Sequence, residues 1–344
     1  MRVLTKFLES AATFMAGRGT AIILFAAILL GSTLGLMAPQ VQNVLSDQID
    51  LTILLLVFLL LFEVRVQSII SSINRFGFVV AALVLNFLVI PVLGFVIAST
   101  FLSAHPLFLL GLVIYFMAPC TDWFLAFTRL ANGNTALGAA LLPINMIVQL
   151  LLYPIYLHIF GIDAVGENAA SLFQTLWQWF LIPLLMAVGL RLLAERVLSV
   201  RQLDLVQSLI SVVVPVLLAV LVGQISAVNI GTLVTHASVI PLILCAILVF
   251  FIATYFLSEM VSRAMRLDHA DQVLMTMTTA ARNAPLMLAL TMAVLPDQPI
   301  VYAAIIIGML IELPHLVGLK MVLKRQKRSG EPGVTPLHKD PALG

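Results

Sequence analysis

Ala281-Arg282-Asn283-Ala284-Pro285 sets an arginine, an amide and a proline in the middle of an apolar run. Ala118-Pro119-Cys120-Thr121-Asp122 interrupts an earlier run in the same way. A proline inside a helix removes a main-chain donor and clashes with the preceding turn, so each run is expected to break as a helix there. Main-chain groups freed deep in an apolar run survive only where they line a polar cavity. Asn283 is expected to cap the half-helix starting at Pro285, with Thr121 or Asp122 serving the other.

Around these breaks the chain is strongly apolar. Of its 344 residues 62% are hydrophobic and 10% charged, a composition that no water-soluble domain of this size could carry on its surface. The apolar residues come in unbroken runs such as Leu51 to Phe62, without the alternation of a membrane β-barrel. The reading is an all-α polytopic membrane protein. Its spans fall at 20–37, 49–62, 77–98, 107–127, 136–160, 171–190, 208–228, 237–257, 272–295 and 299–319, about ten stretches near the ~20 residues that a helix needs to cross ~30 Å of hydrocarbon. Two cysteines, Cys120 and Cys245, both inside apolar runs, make no disulfide scaffold.

Ten spans put alternate loops on one side, and the 18 Lys and Arg residues sort accordingly. They gather in the first segment (Arg2, Lys6, Arg18), in one set of loops or helix ends (Arg65, Arg75, Arg129, Arg191, Arg196, Arg201, Arg263, Arg266) and in the tail from Lys320 to Lys339. The opposite loops carry Asp47, Asp50, Asp163, Glu167 and Asp297 with His105 and His236, and no Lys or Arg. The positive-inside rule therefore places both termini in the cytoplasm of a cell-membrane protein. Arg282 alone lies within a span. Residues 1–19, with Val3, Phe7, Leu8, Ala11 and Phe14 at helical spacing, read as an interfacial helix, and 324–344 as an unfolded basic tail. Glu63, Arg65 and Arg75, near the cytoplasmic interface, read as solvated.

Dividing the chain near residue 165 leaves five spans in each half, 20–164 and 165–323. An odd number forces the halves into opposite orientations, the inverted-repeat plan of many secondary transporters. The breaks fall in the fourth span of each half. At ~1.5 Å per residue, Cys120 lies ~20 Å beyond Leu107 and Arg282 ~15 Å beyond Gln272, so both reach the middle of the membrane. Asn145 and Gln149 on the fifth span and Glu312 on the tenth reach the same level. A mid-membrane arginine is costly and needs a partner, for which Asp122 and Glu312 are the candidates. The nearer acid would be its fixed partner and the farther one a proton carrier. Asn145 and Gln149 could equally be bridges between helices. His158 and His315 lack metal-ligand spacing, and no metal site or cofactor is expected.

Several stretches resemble the arsenite permeases of the bile acid:sodium symporter superfamily. They are Ala118 to Asp122, Phe127-Thr128-Arg129-Leu130-Ala131-Asn132-Gly133-Asn134, Leu142-Pro143-Ile144-Asn145 with Gln149, Thr279 to Asn283, and Gly308-Met309-Leu310-Ile311-Glu312-Leu313-Pro314. The resemblance implies a panel domain of spans one, two, six and seven. It also implies a core domain in which broken helices four and nine cross, with Cys120 and Glu312 serving transport. This chain departs from the family on the ninth span. Arg282 precedes the asparagine, Pro285 stands where an acidic residue is usual, and polar sodium ligands are not evident.

No phosphate-binding loop, His-Glu-x-x-His pair or catalytic dyad is present, so an enzyme is not expected. Lacking any ATP-binding segment, a transporter of this kind draws on an ion gradient. The leading expectation is export of arsenite or antimonite in exchange for protons. Substrate contacts would come from Cys120, Thr121, Asn145, Gln149 and Asn283, and ion coupling from Asp122, Arg282 and Glu312, with Glu312 as the carrier and Asp122 as the partner of Arg282. A soft thiol at a helix break suits a thiophilic metalloid. A sodium-coupled importer of an organic anion is the alternative, and a membrane receptor or scaffold the reading without transport. The partners are a small solute, a coupling proton or sodium ion and the bilayer, with no nucleic acid. The charge count makes a topological prediction. Asp163→Cys and Asp297→Cys should react with an impermeant thiol reagent from outside the cell, whereas Arg201→Cys should not; the reverse pattern would invert the topology.

Overall fold

A computed structural model describes residues 19–62, 75–120, 123–160, 182–296 and 298–330. Among them the chain is built of helices: α1 (Thr20–Met37), α2 (Pro39–Phe62), α3 (Phe76–Leu102), α4 (Pro106–Met117), α5 (Trp123–Leu130) and α6 (Thr135–Phe160), followed by α7 (Ile182–Val197), α8 (Val200–Thr235), α9 (Ile240–Ala264), α10 (His269–Ala280), α11 (Ala284–Val294) and α12 (Pro299–Gly330). Six of these helices are long and apolar enough to cross a membrane, namely α2, α3, α6, α8, α9 and α12. Leu29, Leu30, Leu151, Ile155, Met186, Ile252 and Phe256 lie exposed on the outside, while Asn86, Asn145, Gln149, Arg282 and Glu312 are buried. A polar interior within an apolar exterior is the distribution expected of a protein whose solvent is lipid.

Prolines mark helix starts and local defects. Pro106 and Pro285 open α4 and α11, where a missing amide costs nothing. Pro91 lies inside α3, just after a π-helical turn at Leu85–Val89. Its missing N–H leaves the Phe87 carbonyl without its helical donor, and the Tyr156 hydroxyl of α6 donates to that oxygen instead.

Helices α1, α2, α7 and α8 pack on one another, and α3 to α6 with α9 to α12 form the rest of the interior. The α1–α8 contact is set by small residues. A Cβ on Gly31 would lie 2.2 Å from the Gly223 carbonyl oxygen, and one on Gly35 would lie 2.1 Å from that of Ala227. Two facing small-xxx-small patterns thus bring the backbones together, the usual means of helix association where lipid removes the hydrophobic drive.

The helices depart from the sequence expectations at several ends. α2 begins ten residues before the apolar run, at Pro39, because polar residues such as Gln42 and Asp47 can continue a helix outside the hydrocarbon. α12 runs on to Gly330, past the expected start of the tail at 324. No proline or glycine stops it earlier, Leu319 and Leu323 are buried, and Gln326 donates to the Tyr255 hydroxyl at 2.8 Å. Arg75 is not merely solvated; it pairs with Asp271 at 2.6 Å. The expected interfacial helix (apart from Gly19), Glu63, Arg65, the first half of the span at 171–190 and the tail from 331 lie outside the described residues.

Gly35→Val should lower stability in detergent by about 1–3 kcal/mol through overpacking against α8. Gly231→Ala, with nothing within 4 Å of its added methyl, should not. Equal melting midpoints for the two variants would contradict the α1–α8 contact.

Candidate functional site

The two interruptions meet. After α4, at Ala118, and after α10, at Ala281, the chain turns extended, and Pro119 and Arg282 form an antiparallel β-bridge. The Cys120 amide donates to the Ala281 carbonyl at 3.0 Å, and the Asn283 amide donates to the Ala118 carbonyl at 2.9 Å. Each break therefore supplies partners for the main-chain groups that the other exposes. Asn283 occupies the N-cap position of α11, yet its side chain makes no capping hydrogen bond. One of the two amides that a cap could bond is missing, because Pro285 stands at the second helical position, and the backbone at Asn283 (φ −91°, ψ 58°) is not the extended one of a capping residue.

Arg282 is fully buried at the bridge. One terminal nitrogen donates to the Phe116 carbonyl at 2.9 Å; the other donates to the carbonyls of Thr278, at 3.3 Å, and Thr279. The guanidinium carbon stands 5.8 Å from the centre of the Phe250 ring. Among the described residues every hydrogen bond of this guanidinium ends on a main-chain carbonyl. Thr121 and Asp122, expected as substrate contact and as partner of Arg282, lie outside the described residues. Glu312 reaches the bridge from α12. Its Oε1 accepts the Arg282 main-chain amide at 2.9 Å, and its Oε2 accepts the Tyr115 hydroxyl at 3.2 Å. Gly308 makes this possible, since a Cβ there would lie 2.6 Å from the Tyr115 ring.

A second polar group adjoins Arg282 through Thr278, whose hydroxyl accepts the side-chain amide of Asn145 at 3.4 Å and that of Asn86 at 3.3 Å. Gln149 donates to the Met146 sulfur at 3.2 Å. Among the described residues, Asn86 Oδ1, Asn145 Oδ1 and Gln149 Oε1 are buried acceptors without a donor. Cys120 is buried at the bridge and Cys245 is exposed on α9. His315 stacks on Phe251, ring centres 4.0 Å apart.

Tyr115, Asn86 and Thr278 escaped the sequence reading. Asn86 had a signal, being an amide in an apolar run five residues before a proline. Tyr115 and Thr278 had none, because both are common residues within helices.

The stretch Ala131 to Asn134 proves to be a clamp. Asn132 has φ 61°, and the Gly133 amide donates to the Thr128 carbonyl at 2.8 Å. Asn134 accepts from the Leu137 amide at 3.1 Å, capping α6, and donates to Asp271 at 2.8 Å. Asp271 thus ties the starts of α3 and α6 to α10.

Residues 50–172 match the Sodium Bile acid symporter family. The chain is also 24% identical over 251 residues to the arsenical-resistance protein Acr3 of Corynebacterium glutamicum, covering 69% of this chain and 67% of that protein. The family match takes in Cys120, Asn86, Asn145 and Gln149.

Asp271→Ala should cost about 2–3 kcal/mol of stability, since it strips buried charge-assisted hydrogen bonds. Arg75→Ala should cost under about 1 kcal/mol, because the Arg75 side chain is 53% exposed and Asp271 3%. Thermal melts of the two variants decide it; equal losses would mean that Asp271 acts only through Arg75.

Proposed function

We propose that the chain is a secondary transporter of ten spans, built as two inverted five-helix repeats whose broken fourth and ninth spans cross. It exports arsenite or antimonite across the cell membrane in exchange for protons, with both termini in the cytoplasm. One observation carries the reading: Cys120 and Glu312, from opposite halves of the chain, converge on a single antiparallel bridge between two broken helices. The kinship with an arsenical-resistance protein supports the substrate.

The chemistry follows from the residues. Trivalent arsenic is soft and travels as a neutral trihydroxide, so it suits one thiol and several hydrogen-bond acceptors. Attack by the Cys120 sulfur forms one S–As bond and releases one hydroxyl, which leaves as water with the thiol proton; the oxidation state of arsenic is unchanged. A single thiol keeps the adduct labile. The remaining hydroxyls are donors, and the unmatched acceptors Asn145 Oδ1, Gln149 Oε1 and Asn86 Oδ1 offer them sites. Asn283 lies across the bridge from Ala118, and Thr121 follows Cys120 in the sequence. Glu312 exchanges the coupling proton. When it is ionised, Tyr115 donates to it; when it is protonated, the same hydroxyl can turn and accept. Arg282 keeps its charge throughout, and Asp122, two residues after Cys120 in the sequence, supplies the second carboxylate.

Arsenite uptake into inside-out vesicles tests this. Wild-type uptake should follow a proton gradient, acid inside, and ignore a sodium gradient. Cys120→Ser should cut uptake by roughly tenfold or more, and Glu312→Gln should abolish gradient-driven accumulation. Undiminished flux in Cys120→Ser would remove the thiol from the mechanism. Flux driven by sodium alone would favour a sodium-coupled organic-anion symporter.

A further inference from the structure

Helices α4 and α10 both end at the crossing. The last carbonyls of a helix have no partner within it and carry the negative end of its dipole. In broken-helix transporters such ends serve to bind small cations. Here Phe116, near the end of α4, directs its carbonyl oxygen to one terminal nitrogen of the Arg282 guanidinium, and Thr278 and Thr279, near the end of α10, direct theirs to the other. The face of Phe250 adds a further cation-stabilising surface. The positive charge of the guanidinium is thus held by dipoles, in the manner of an ion. Its Nε is buried and has no partner among the described residues, so these surroundings are matched to the two terminal nitrogens rather than to the whole side chain.

We infer that Arg282 is a tethered substitute for a mobile cation: its guanidinium permanently fills a carbonyl-lined cation site formed by two helix ends. The intact chain therefore takes no sodium there. Removing the side chain uncovers a site for a small cation of the guanidinium or alkali-metal class, completed by the carboxylate of Glu312, which already bonds the Arg282 amide. The consequence for coupling rests on the transport reading above: with this site always filled, the proton is the ion left to couple. The occupancy itself does not rest on that reading, and its test needs no substrate.

Thermal unfolding of the purified protein in detergent is followed at constant ionic strength in choline chloride, in sodium chloride, and with millimolar guanidinium below denaturing levels. Wild type should melt at one midpoint in all three. Arg282→Ala should melt lower in choline and recover with the logarithm of added guanidinium or sodium concentration, as mass action requires of a ligand bound only by the folded state. Arg282→Met, which keeps most of the stem without the charge, provides the same vacated site should Arg282→Ala not be recovered. Arg282→Lys, retaining a tethered cation, should stay indifferent to sodium. A wild-type or Arg282→Lys protein stabilised by sodium over choline would overturn the proposal. So would charge-removed variants that no cation stabilises, or that cannot be recovered even when extracted in guanidinium or sodium. Failure of arsenite transport would leave these melts unaffected.

Discussion

Two main-chain hydrogen bonds, between residues 118–120 and 281–283, hold the interior together. A helix that breaks inside a low-dielectric interior exposes amides and carbonyls, each costing several kcal/mol if left unmatched. Neither broken helix could settle that cost alone. Laid antiparallel, each provides the donor that the other lacks. The prolines are therefore bearable only as a pair, and their positions in sequence are tied to one another through space. Everything polar in the interior is placed relative to this bridge.

Arg282 extends the same logic from the main chain to a side chain. A buried carboxylate partner would carry its own desolvation cost, which can exceed the attraction gained. Carbonyls at helix ends are already desolvated and unpaired, so using them to hold a guanidinium satisfies two deficits at once. Glu312 is thereby spared full commitment to the guanidinium among the described contacts; it bonds the Arg282 amide and Tyr115. The Tyr115 hydroxyl can rotate, so it can serve this carboxylate in either protonation state.

What the sequence disclosed followed from how local each cause was. Proline positions announced both breaks, and apolar run lengths announced the helices, because both causes act within a turn or two. The level shared by Cys120, Arg282 and Glu312 could be computed from helical rise alone. The main-chain carbonyls that bond Arg282 could not, since they have no sequence signature, and Asp122, the partner expected from the sequence, lies outside the described residues. The same blindness hid Tyr115 and Thr278. Asn283 misled for a related reason: cap propensity assumes available amides, and Pro285 takes one away. Arg75 read as solvated because its partner, Asp271, is 196 residues distant in sequence.

Two kinds of contact then divide the interior. Where α1 meets α8, and where α4 meets α12 at Gly111 and Gly308, side chains and backbone approach so closely that no added methyl could fit. Between α3, α6 and α10 the contacts are long amide-to-hydroxyl bonds around Thr278, and three acceptors remain unmatched. Tight interfaces of small residues move as blocks if they move at all, since their packing has no slack. Sparse polar contacts can be exchanged for contacts to a solute at little cost, because the acceptors are already short of donors. The unmatched acceptors and the loosest contacts thus belong to the same region, beside the bridge and on the side of Asn86, Asn145 and Gln149.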